Sequence, residues 1–395
     1  MNSSLNTEMP KKFVTLFPPC ENVHLTKDLG QIPYFLQRKY GYDSSIVSYQ
    51  NNTEYSNLQG EVKGLKLEFI PDKGRLSFME KGVLRYLRRN AARIDILNLY
   101  IFSKFSFVYG LMYKKRNPNG FLYLKLDGYN ETFEGKEPIR HSTNSLKNFI
   151  FKRLEKKFLE KVDLVTIENS KGEELVKSKY PEIAHKVMYL PVGVNDQFLE
   201  ENFKGSFRSF SQKENIILNT GRIGESIKNN EMMLRALEQT DMKDWKMVFV
   251  GPVNPSFKEY FDHWIQDRPQ LKDNIIFTGN IQDRKTLYEW YNKSKIFCMT
   301  SHKESFCHAI GEALYFGNYI LGTEGIVSMN DLTANGKYGH TLPDNDDQAL
   351  AKKLQELIDG PGHLSRLCTD IITYSHQNFV WSKIIGKIQQ RIEQR

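Results

Sequence analysis

Cysteine is scarce and scattered in this sequence: four residues in 395, at Cys20, Cys298, Cys307 and Cys368, with no C-x-x-C. That spacing excludes a disulfide framework and a zinc knuckle. No H-E-x-x-H is present either. His302, Cys307 and His308 stand close together, but a strand end and a helix start with unrelated side chains explain them better than a metal site. No apolar run reaches the roughly 18 residues of a membrane-spanning helix. The opening MNSSLNTEMPKKFVTLFPPC has no apolar segment after a basic head, and its stretch 13–17 is only strand length. No signal peptide is expected, so the triplet Asn130-Glu131-Thr132 carries no weight as a glycosylation site. The expected compartment is the reducing cytoplasm.

What is present is a globular composition, 40% hydrophobic and 26% charged, with a formal net charge of +8. The length suffices for two domains with proper cores. A basic balance suits phosphorylated small molecules, anionic lipid or nucleic acid, and does not choose among them. Short apolar runs alternate with helical segments along the chain. In the first half they are KFVTLFP, SSIVSY, LKLEFI, DILNLY, FLYLKLDG, DLVTIEN and KVMYLP; in the second, NIILNTG, KMVFVG, NIIFTG, IFCMTS and YILGT. Continuous apolar strands separated by helices predict parallel sheets covered on both faces. The expectation is two doubly wound, Rossmann-like α/β domains facing each other across a cleft, 1–195 and 215–377, joined by a polar linker at 196–214. The closing segment, about 378–395, reads as an amphipathic helix that packs back on the first domain. Ligands of such sheets bind at the carboxyl ends of the strands.

Two stretches carry chemistry at strand ends. In NTGRIGESIKNN the strand stops at Gly221, followed by Arg222 and, six residues on, Lys228. Two cations near a helix start suit a diphosphate, a fork from the guanidinium and a point charge from the ammonium. Gly221 and Gly224 match neither a P-loop nor a dinucleotide fingerprint. In HKESFCHAIGEALYFGNYILGT, Glu304 lies in the loop and a helix is expected to begin near Phe306. The amides of Phe306, Cys307 and His308 are then donors without helical partners. Glu304 can accept hydrogen bonds from sugar hydroxyls. Glu312, one to two turns into the helix, can take two vicinal hydroxyls of a ribose.

Together these stretches resemble the retaining glycosyltransferases of family 4, also called glycosyl transferases group 1, with the GT-B fold. The resemblance runs from KVMYLPVGVNDQF through TGRIGESIKNN, IFTGNIQDRKTLYEWYNKSKIFCMTS and KESFCHAIGEALYFGNYILGT to YGHTLPDNDDQALAKKLQELI. It extends more loosely over the first half. It implies that Glu304 and Glu312 form the family's E-x7-E element. The first acid and its adjoining amides then hold the donor sugar, the second the ribose, and Arg222 and Lys228 the diphosphate. Four departures stand out. Arg222 and Lys228 are separated by one residue more than in many members, so the turn between them differs. Ser305 and Cys307 replace the two glycines of the usual E-G-F-G. The loop FPPCENVHLTKDLG lacks the usual glycine pair, leaving Glu21 as a first-loop candidate. Asp127 occupies the strand end where the family often has histidine; it reads equally as a donor or acceptor contact and as a turn residue before Gly128. The D-x-D at Asp344 to Asp346 precedes an amphipathic helix and reads as a cap.

The expected activity is transfer of a sugar from a nucleoside-diphosphate sugar to an acceptor hydroxyl with retained configuration, in cell-surface polysaccharide or glycoconjugate synthesis. No metal and no cofactor is called for, because the two cations can neutralise the diphosphate. Partners are the nucleotide-sugar donor and a glycan or lipid-linked acceptor. Basic amphipathic stretches holding Arg85, Arg88, Arg89 and Arg93, and Lys147, Lys152, Arg153, Lys156, Lys157 and Lys161, read either as solvated faces or as peripheral contacts with an anionic inner membrane face. Nucleic acid is not expected, for no recognition motif accompanies the charge. The alternatives are a nucleotide-sugar epimerase or phosphorylase on the same fold, and a non-enzymatic basic protein binding lipid or nucleic acid.

Overall fold

The computed structural model describes residues 9–71, 74–76, 79–126, 145–203 and 206–395. The chain forms two compact units, Met1–Leu190 with Trp381–Arg395, and Pro191–Val380.

In the first unit the described residues form a seven-stranded sheet and a small antiparallel pair, Arg75–Leu76 with Met79–Glu80. The order of the larger sheet is Lys66–Phe69, Asp43–Ser48, Lys12–Leu16, Ile96–Tyr100, Phe121–Lys125, Leu164–Ile167 and Val187–Tyr189. Every pairing in it is parallel. The strands are β-branched and aromatic, and those at the centre are buried along their length, as helices on both faces require. Lys125, fully buried at the carboxyl edge, lies 2.9 Å from Asp28 and 3.4 Å from Glu168. It ties the start of helix Asp28–Tyr40 to two strand ends.

Helix Trp381–Glu393 belongs to this unit. It buries Trp381, Ile384, Ile385, Ile388 and Ile392, packs on helix Asp28–Tyr40, and accepts at Gln389 a hydrogen bond of 2.8 Å from Tyr42. Helix Lys81–Asn90 buries Val83, Leu84, Tyr86 and Leu87 and exposes Arg85, Arg88 and Arg89. Helix Ser145–Lys161 is less simply amphipathic than its sequence suggests. Phe158 and Leu159 are buried, yet Phe149 and Ile150 are 63% and 47% exposed beside the exposed Lys152, Arg153, Lys156 and Lys157.

The second unit holds a parallel six-stranded sheet in the order Ile275–Gly279, Lys246–Val250, Ile216–Thr220, Ile296–Met299, Tyr319–Thr323 and Gly339–Leu342. This 3-2-1-4-5-6 order reverses direction between Ile216–Thr220 and Ile296–Met299, the crevice where ligands of such sheets sit.

The expected linker at 196–214 is corrected by the structure. Pro191 already belongs to the second unit, and the polar stretch opens with helix Asp196–Phe203, which buries Asp196, Leu199 and Phe203. Those three residues recur at helical spacing, and Phe203 packs edge-on against Tyr288 and Phe316. Apolar anchoring at only two of eight positions hides the helix in the sequence. The second unit also runs to Val380, not 377, because Val380 bridges to Val194 as a parallel partner.

Candidate functional site

At the switch point of the second unit, strand Ile216–Thr220 ends in Gly221 at φ 148°, which only glycine adopts readily. The following loop is closed by Asn230, whose side chain accepts from the Gly224 amide at 2.7 Å and donates to Asn219 at 3.2 Å. A 3-10 turn, Ser226–Lys228, then carries Lys228 toward the neighbouring strand end. Thr300 pins the backbone there, donating to the carbonyls of Lys228 and Asn229 at 3.1 and 2.9 Å.

Lys228 meets Glu304 in a direct ion pair through Nζ and Oε1, with their side chains 16% and 21% exposed. Ser301 adds a hydrogen bond to the same oxygen at 3.3 Å. Glu304 itself is held at both backbone ends: its amide donates to Gly325 at 3.0 Å, and its carbonyl accepts from Val327 at 2.9 Å. The acid therefore sits on a braced loop, not a free one. Arg222 is not brought to Lys228. Its side chain is 66% exposed and pairs with Glu225 at 3.1 Å.

The helix begins at His308, two residues later than expected, and runs to Tyr315. Cys307 is its N-cap, at φ 58° and ψ 78°. That left-handed conformation, natural to glycine, is the physical content of the family's glycine at this position. The donors left by the first turn are accordingly centred on His308, not on Phe306, whose ring is buried against Phe379. Burial and the nearby Glu304 charge push the Cys307 thiol up to about 12, so it stays protonated. The three residues that hinted at a metal have separate partners: His302 pairs with Asp344 at 2.8 Å, His308 faces the Gly193 carbonyl at 3.3 Å, and Cys307 is enclosed. Asp346 caps helix Asp347–Asp359 by accepting from the Ala349 amide at 2.8 Å.

Glu312 is buried, only 4% exposed. Arg284 donates to its Oε1 and Tyr291 to its Oε2, the latter at 2.7 Å. Tyr291 is held in turn by Thr220 at 2.6 Å. Burial opposes the charge on Glu312, but Arg284, His308 and Tyr291 outweigh it and hold the carboxyl below its ordinary value. Burial and that same carboxylate push the Tyr291 phenol well up. Sequence reasoning missed Arg284, Tyr291 and Thr220. Arg284 carried a signal: it is the first residue of helix Arg284–Lys293, where the helix dipole disfavours a cation.

Two candidates fall elsewhere. Glu21 lies in the first unit, exposed, before the 3-10 turn Asn22–Thr26, its amide bonded to His24 at 2.9 Å. Asp127 lies outside the described residues.

The family described as Glycosyl transferases group 1 matches residues 202–377. The chain is 27% identical over 194 residues to a Campylobacter jejuni enzyme, GalNAc-alpha-(1->4)-GalNAc-alpha-(1->3)-diNAcBac-PP-undecaprenol alpha-1,4-N-acetyl-D-galactosaminyltransferase, covering 47% of this chain and 51% of that one. It is also 27% identical over 172 residues to a probable sucrose-phosphate synthase of Thermosipho melanesiensis, covering 42% and 39%. The chain thus spans about half the length, or less, of these curated relatives. Among solved structures, Anabaena HepE in complex with UDP aligns over 98% of this chain and 100% of its own, with a TM-score of 0.70 and 14% identity. A glycosyltransferase from Rickettsia africae aligns over 98% of both chains, with a TM-score of 0.71 and 16% identity. The fold is the GT-B fold of these neighbours, and residues 202–377 match the model of the glycosyl transferases group 1 family.

Proposed function

We propose that this protein is a retaining glycosyltransferase of the family 4 kind, moving a sugar from a nucleoside-diphosphate sugar to an acceptor hydroxyl. One observation carries the reading: the Lys228–Glu304 pair stands at the switch point of the second sheet, on a loop that leads directly into the helix of Glu312. In this reading the donor diphosphate takes Lys228, whose charge stabilises the leaving group as the glycosidic bond breaks. Glu304, released from the lysine, accepts hydrogen bonds from the donor sugar. Glu312 receives the ribose hydroxyls. Arg222 swings from Glu225 to join the diphosphate, and two cations make a resident metal or cofactor unnecessary. The acceptor hydroxyl attacks from the face the diphosphate leaves, and the leaving phosphate oxygen takes its proton.

The acceptor in this reading is a glycan on a lipid carrier, which places the protein at the cytoplasmic face of an anionic membrane. Support comes from helix Ser145–Lys161, where exposed Phe149 and Ile150 adjoin four exposed cations. Apolar side chains inserted at an interface and cations over anionic headgroups act together. The matched Campylobacter jejuni enzyme bears the name of a PP-undecaprenol glycan acceptor. Synthesis of a cell-surface glycoconjugate follows from such an acceptor.

The test is a thermal-shift screen of UDP, GDP and ADP and their sugars, followed by product analysis with and without acceptor. A ligand at about 100 times its dissociation constant adds roughly 2.7 kcal/mol of stability. The expected result is stabilisation by one base and donor hydrolysis that an acceptor diverts to transfer. No stabilisation by any nucleoside diphosphate would sink the proposal.

A further inference from the structure

We infer that Arg284 is a positioning residue of the donor site, holding the Glu312 carboxylate in the orientation that receives the two ribose hydroxyls of a nucleoside diphosphate. The inference rests on the reading above that such a nucleotide binds at this end of the sheet.

A carboxylate offers about four acceptor positions, two on each oxygen. In Glu312 one position on each oxygen is already filled from within the protein, Oε1 by Arg284 and Oε2 by Tyr291. One position on each oxygen remains, the arrangement that matches a vicinal diol. Each filled position is itself anchored. On one side Tyr291 is fixed by Thr220, the last residue of strand Ile216–Thr220. On the other, the Arg284 guanidinium lies 4.5 Å from the centroid of the Tyr288 ring and donates to the Tyr288 hydroxyl at 2.5 Å. The start of its helix is fixed by Asp283, which accepts from the Thr286 amide and hydroxyl at 2.8 and 2.6 Å. A bare charge would neutralise a buried acid from several directions. A guanidinium gripped by a tyrosine ring and a capped helix start fixes one direction. Its side chain is 19% exposed, against 5% for Glu312.

The test compares UDP with 2′-deoxy-UDP, and GDP with 2′-deoxy-GDP, by calorimetry. The native protein should prefer the ribonucleotide by about 10- to 100-fold, as for hydrogen bonds to a charged acceptor. Arg284→Met should reduce that preference to within about twofold while leaving the deoxynucleotide affinity within about threefold. Its ribonucleotide affinity should also fall as pH drops from 8 to 5.5, because a buried carboxylate without its cation takes up a proton more readily. Arg284→Lys keeps the charge but cannot hold both Glu312 and the Tyr288 hydroxyl in one plane, and should lose at least threefold of the preference. It also carries the test if Arg284→Met does not fold. A preference retained in full by the substituted proteins, or equal loss of affinity for both nucleotides, would overturn the inference alone. Native protein that binds nucleoside diphosphates without preferring ribose would do the same. Native protein that binds none of the four, nor ADP, would overturn the proposed function, and this inference with it.

Discussion

Lys228 and Arg222 are six residues apart and of like charge, but their surroundings assign them unequal weight. Lys228 is largely enclosed and faces Glu304, whereas Arg222 lies in solvent beside Glu225. Charge stabilisation is stronger where water is excluded. Lys228→Ala should therefore lower kcat by about 10²–10³, and Arg222→Ala by about tenfold or less. Steady-state kinetics on folded proteins measures both; equal losses would place the arginine in the site as firmly as the lysine. The two acids separate in the same way. Glu304→Gln frees Lys228 for phosphate, so bare UDP should bind as tightly as before or severalfold tighter, while transfer slows. Glu312→Gln should weaken bare UDP, because its assigned partner is the ribose. Calorimetry with the diphosphate alone distinguishes these outcomes. The acids were legible because their spacing follows a family pattern, and the lysine because it follows a strand end closed by glycine. Arg284 left only the trace of a cation at a helix start, because its partner lies 28 residues on and the contact exists only once the sheet has formed.

Helix Arg284–Lys293 owes its position to a residue outside the pattern. Lys213 is buried at its carboxyl end and donates to the carbonyls of Asn292 and Ser294 at 2.8 and 3.0 Å. Those are terminal acceptors that a helix leaves unpaired. Burial pulls the ammonium down from its ordinary 10.5 to about 8. Between those values the unfolded chain holds the proton and the folded one releases it, so stability rises with pH through that window. The unfolding free energy of the native protein relative to Lys213→Met should rise by about 2 kcal/mol from pH 7.5 to 9.5. Urea titrations at the two pH values read it, and a flat or falling difference would contradict the burial argument. Helix Ser145–Lys161 yields a second test at this scale. Changing Lys152, Arg153, Lys156 and Lys157 to Gln should abolish co-flotation with anionic vesicles at low salt and leave donor hydrolysis intact, since cations at a charged surface contribute about 1 kcal/mol each. Its basic periodicity was legible in the sequence; the exposure of Phe149 was not, because an aromatic at a helical interval reads as core until its neighbours are placed.

Both units are built on parallel sheets, and the apolar runs foretold every strand of them but Gly339–Leu342. A strand buried on both faces has to be apolar throughout, and this edge strand exposes His340 and Thr341. The boundary between them was less legible, because 191–195 continues the apolar character of the strand before it and helix Asp196–Phe203 wears a charged surface. All assigned donor residues lie in the second unit, which is one unbroken segment. Residues 191–380 expressed alone should fold and bind UDP within about threefold of the whole protein's affinity; an unfolded or non-binding fragment would show that the site needs the first unit. The first unit has no such independence, because Trp381–Arg395 completes it. On the ribosome this reverses the usual order, in which amino-terminal domains finish first. At about 5–20 residues per second, synthesis of the 190 residues 191–380 takes roughly 10–40 s. Throughout that interval the nascent first unit waits with the apolar flank of helix Asp28–Tyr40 uncovered, a client for chaperones until its missing helix emerges.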